Sequence, residues 1–93
     1  MSLDQIKEKA VPILREAGVT RSSVFGSQAR QGAHSDSDID ILIELPRGKT
    51  LLDFIDIKYK LEEALGRKVD LVTYKALKPQ IRERILREQV GIL

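Results

Sequence analysis

Apolar residues recur at helical spacing in the longer stretches of this chain and at every second position in two shorter ones. Ser2 and Gln5 form a capping-box pair. Ile6, Ala10, Ile13, Leu14 and Ala17 then line one helical stripe, which Gly18 is placed to end. Arg21 to Gly26, with Val24 and Phe25, predicts a short strand. Helix formers follow directly from Ser27 to Arg30, and the small polar run from Gln31 to Ser37 predicts a loop. Asp38 to Leu45 alternates strictly. Ile39, Ile41, Ile43 and Leu45 fall on one face, and Asp38, Asp40, Leu42 and Glu44 on the other.

A turn at Pro46-Arg47-Gly48 precedes a second capping pair, Thr50 with Asp53. The next helix draws its stripe from Leu51, Phe54, Ile55, Leu61 and Leu65, and Gly66 closes it. Arg67 to Thr73 predicts another strand, with Val69 and Leu71 facing one way and Asp70 and Val72 the other. Pro79 suits a first helical turn, from which Ile81, Ile85 and Leu86 lead to Val90, Ile92 and Leu93. This order predicts an α/β (α+β) fold: a three-stranded mixed sheet with helices packed mainly on one face. All 93 residues read as a single domain spanning 1–93, with no repeat or linker.

Composition narrows the chemistry. Hydrophobic residues make up 42% and charged residues 32%, the balance of a folded, soluble chain. With no cysteine and one histidine, disulfides, thiolate zinc sites and cysteine nucleophiles are excluded, and a Ser-His-Asp enzyme is disfavoured. No apolar run approaches a membrane span, and Asp4, Lys7, Glu8 and Lys9 stand where a signal peptide needs an apolar core. The expected location is cytoplasmic. A net charge of +2 gives no basic footprint for direct nucleic-acid binding.

The candidate chemistry lies between Val24 and Asp40. Asp38 and Asp40 leave the same face of their strand with Cα atoms about 6.5–7 Å apart, so both carboxylates can lean onto one ion. Oxygen donors without His or Cys favour Mg²⁺, with Mn²⁺ as the alternative. Gly26 permits close backbone approach, Ser27 offers a hydroxyl and an N–H at a helix start, and Arg30 can fork onto a phosphate. If Asp70 shares the acidic face, three carboxylates converge on parts suited to phosphoryl or nucleotidyl transfer.

Gly26-Ser27, followed at ten residues' distance by Asp38-x-Asp40, resembles the signature of the DNA polymerase β-like nucleotidyltransferase superfamily. The run from Gly26 through Gly32, with Ser37-Asp38-Ile39-Asp40-Ile41-Leu42-Ile43, resembles its minimal nucleotidyltransferases (MNT). The resemblance covers essentially the whole chain and implies the small nucleotidyltransferase fold. It assigns Gly26 and Ser27 to triphosphate binding and Arg30 to a phosphate or partner contact. It makes Asp38 and Asp40 metal ligands, and Asp70 the third carboxylate, which helps deprotonate an acceptor hydroxyl.

The implied cofactor is Mg²⁺, as two ions, and the implied substrate is ATP. The implied partner is a HEPN-type toxin held in a hetero-oligomer, with AMP passing to one of its hydroxyls, a tyrosine in some members. Two other functions stay open: a non-catalytic antitoxin that neutralises by binding, and a small-molecule nucleotidyltransferase. Two further expectations concern structure. The apolar tail Val90-Gly91-Ile92-Leu93 is expected to be incompletely covered and to contribute to a partner surface. Tyr59 and Tyr74 read as partly buried rings without chemistry.

Overall fold

The computed structural model describes residues 1–26 and 38–93. Helix α1 (Leu3–Glu16) begins with the predicted capping box: Gln5 N–H donates to Ser2 Oγ, and Ser2 N–H to Gln5 Oε1. Strand β1 (Ser22–Phe25) follows, then β2 (Ile39–Ile43). The predicted short helix over Ser27 to Arg30 lies outside the described residues. Helix α2 (Leu51–Leu65) opens on the Thr50–Asp53 box and ends at Gly66, whose φ of 67° is the left-handed conformation that a helix terminus of this kind needs. Strand β3 (Val69–Thr73), a 3₁₀ turn (Tyr74–Ala76) and helix α3 (Pro79–Glu88) come next.

The sheet is mixed, as expected. β2 and β3 run parallel, joined through α2, and β1 lies antiparallel to β2. It has four strands rather than three. Val90–Gly91 forms β4, antiparallel to β1, and the order across the sheet is β3-β2-β1-β4. A two-residue strand containing glycine carries too little alternation to be read from sequence.

That strand also changes the account of the tail. Ile92 is 5% exposed and belongs to the main core, with Leu93 packed against it. The apolar end therefore folds onto its own domain instead of waiting for a partner. Ser22 fixes it there: its carbonyl accepts from Ile92 N–H at 3.0 Å, and its N–H donates to Leu93 O at 3.3 Å.

The main core lies between the α1–α2 layer and one sheet face. Ile6, Ala10 and Leu14 of α1 and Ile57, Leu61 and Leu65 of α2 meet Val24, Ile39, Ile41, Ile43, Val69 and Leu71. Leu51, expected in the stripe, is exposed in the first turn of α2, and Ile57 takes a buried place instead. On the opposite face a smaller cluster joins Leu42 to Tyr74, Leu77 and Ile85, with Phe25, Val72 and Leu86 beside it. Two helices thus cover one face, while α3 covers part of the other.

Candidate functional site

The part of this second face left beside α3 carries the acids. Alternation along β2 sends Ile39, Ile41 and Ile43 to the main core, so Asp40 faces away with Leu42. β2 is an inner strand, and its register sets Asp40 beside Phe25 of β1 and beside Asp70 of β3. Adjacent strands lie about 4.8 Å apart, so the parallel pairing of β2 and β3 makes Asp40 and Asp70 lateral neighbours. Asp38 stands just ahead of β2. It and Asp70 are exposed, whereas Asp40 is half-buried.

Electrostatics follows from this placement. Burial first, then the charges of Asp70 and Asp38, pushes the Asp40 carboxyl up from 3.8 to about 6. A carboxylate with like charges beside it and little water to screen them favours its protonated form, or a cation. No group of three acidic or histidine side chains among the described residues forms a ready-made metal cluster. Hard oxygen donors in this loose arrangement fit Mg²⁺, which keeps part of its shell from water and substrate phosphate. They do not make a closed protein cage.

Gly26 ends β1 against the same carboxylate. Its φ is +69°, and a Cβ built there would overlap Asp40 Oδ2 and stand 3.2 Å from Asp40 Cγ. Glycine is therefore required twice, by backbone conformation and by the closeness of Asp40. The sequence suggested Gly26 for ligand approach; its contact with Asp40 is a separate constraint. The other two phosphate-binding candidates, Ser27 and Arg30, lie outside the described residues.

A polar cluster on this face was missed in the sequence. Tyr74 is buried, not a simple ring contact, and its hydroxyl bonds Ser23 Oγ at 2.7 Å. Ser23 Oγ donates to Gln89 Oε1, whose Nε2 donates to Leu86 O at 3.1 Å. Since Ser23 has one proton, the Tyr74 hydroxyl donates to it. The chain of donors ties β1, the 3₁₀ turn and the end of α3 together. Its one sequence signal is Ser23, a polar residue that alternation puts on the face of Leu42. Tyr59, by contrast, is 62% exposed on α2.

Comparison with known proteins adds independent information. The family model described as nucleotidyltransferase domain matches residues 7–91. MJ0435 of Methanocaldococcus jannaschii, named for protein adenylyltransferase activity, is 50% identical over 93 residues, with both chains wholly covered. Protein adenylyltransferase MntA of Thermococcus cleftensis is 46% identical over 80 residues, 85% of this chain and 81% of its own.

Among solved structures, a minimal nucleotidyltransferase at 40% identity superposes with a TM-score of 0.83, covering 97% of this chain and 95% of its own. A tri-AMPylated HEPN toxin in complex with MNT antitoxin from Shewanella oneidensis gives a TM-score of 0.74 at 20% identity. It covers 97% of this chain and 71% of the other, a likeness of fold alone.

Proposed function

The chain belongs to the nucleotidyltransferase domain family, and from that premise we propose that it is a Mg²⁺-dependent protein adenylyltransferase that transfers AMP from ATP to a hydroxyl of a HEPN-type toxin. The observation carrying this reading is the acidic face itself: Asp40 opposite Asp70, Asp38 one alternation earlier, and Gly26 against the Asp40 carboxylate. The partner is proposed from the toxin-bound MNT antitoxin that shares the fold. ATP use is proposed from the adenylyltransferase relatives, and a cytoplasmic location is proposed with it.

Asp38 and Asp40 would hold the metal, with Asp70 as third carboxylate. When bound, Mg²⁺ neutralises phosphate charge and steadies the departing pyrophosphate. Gly26 and Ser27 hold the triphosphate, and Arg30 contacts a phosphate or the partner. Asp70, exposed where its neighbour Asp40 is half-buried, accepts the proton of the acceptor hydroxyl, a tyrosine. The acceptor oxygen forms its bond to the α-phosphorus as the bond to the β-phosphate oxygen breaks. AMP remains on the toxin and pyrophosphate leaves with the electron pair.

Co-expression with a HEPN-type partner and intact-mass measurement tests the reading. The partner should gain AMP with the wild-type chain and none with Asp40→Asn. Asp70→Asn should block the gain while the complex still co-purifies. Undiminished transfer by Asp40→Asn would overturn the assignment. Complex formation without any AMP gain by the wild-type chain would favour the binding-only antitoxin.

A further inference from the structure

At the other end of the sheet the charge reverses. A cleft of about 700 Å³ opens beyond the C-terminal ends of β2 and β3, and five cations, Arg21, Arg47, Lys49, Lys75 and Arg82, line it with Glu44 as the one acid. Glu44 follows Asp40 by four residues, about 13 Å along the strand, so this cleft is separate from the acidic face.

Two of its arginines are held in place by one residue. The Arg21 guanidinium lies 4.1 Å from the centre of the Tyr74 ring, and Arg82 Nη1 donates to Tyr74 O at 2.9 Å. Tyr74 is itself buried and anchored through its hydroxyl to Ser23. Among the described residues, neither arginine forms an ion pair, and nor do Arg47 and Lys75. Five cations facing one acid, Glu44, leave an excess of like charge that repels itself, and an anion removes that cost. Guanidinium forks set in advance suit phosphate oxygens.

We propose that this cleft is a second anion site that takes a compact polyphosphate, free or carried on a nucleotide. Its concave form suits a small ligand more than an extended strand. The ring that could have stacked on a nucleic-acid base is buried beneath Arg21.

The probe is inorganic tripolyphosphate, added to the intact chain in metal-free buffer and followed by calorimetry and amide NMR. Amide shifts are expected at residues 43–49 and 73–75, with binding that weakens as salt rises. R47E/K75E should weaken binding by at least about tenfold, since each charge reversal turns an attraction into a repulsion. R47Q/K75Q, a gentler change, should weaken it less, and circular dichroism checks the fold of both. Asp40→Asn should leave the shifts at 43–49 in place. Equal affinity in wild type and R47E/K75E would overturn the proposal, as would shifts confined to Gly26, Asp38 and Asp40. Tighter binding of oligouridylate than of tripolyphosphate, growing with oligomer length, would replace the compact ligand with RNA. These readouts need no transfer activity, so they stand or fall apart from the adenylyltransferase reading.

Discussion

Asp40 stands at the point where burial, charge and a glycine meet, and its properties can be tested one substitution at a time. Its folded pKa is about 6 against an ordinary 3.8. Near pH 5 the folded chain therefore binds a proton that the unfolded chain has largely lost. This contribution to stability is complete below about pH 4 and is lost as pH rises through about 6. Asp40→Asn removes the dependence. The variant should match wild type at about pH 3 and be more stable by about 1–3 kcal/mol at about pH 8, as denaturant melts without metal would measure. A variant that gains stability while losing AMP transfer would mark Asp40 as a residue kept for function at the expense of the fold. Gly26→Ala acts oppositely. The added methyl meets both a positive φ and the Asp40 carboxylate, so a loss of about 1–3 kcal/mol is expected, together with loss of transfer. Urea midpoints and the AMP mass assay measure the two effects separately.

At the level of elements, the two capping boxes and the left-handed Gly66 announce α1 and α2 plainly in the sequence, because capping is local chemistry. The alternation in β2 and β3 put Asp40 and Asp70 each on the less apolar face of its own strand, and the parallel register makes those two faces one. Contacts between distant segments were not legible. Nothing local pairs Val90 with Val24, and nothing in Tyr74 alone points to Ser23. An apolar tail reads equally well as a partner surface or as a lid on the core. Two predictions belong here. Ile92→Ala should cost about 2–5 kcal/mol in the isolated chain, a loss the expected partner-facing tail would not have shown. Tyr74→Phe should cost about 1–3 kcal/mol, and Ser23→Ala a similar amount. The double variant should cost less than their sum, as a double-mutant cycle would record.

For the molecule as a whole, closure of the core comes late along the chain. β1 is made early, yet its outer neighbour β4 begins only at Val90, and the two meet through Val24 and Val90. Ile92, buried among segments synthesised before it, joins the core only after all of them. A ribosome that has translated α1, both inner strands and α3 still carries a domain with one flank open and an unpaired strand edge. Synthesis runs at about 5–20 residues per second, so this exposed interval recurs with each copy made. Chains cut short before Val90 would present that flank to chaperones and proteases, and such fragments should not accumulate in the cell.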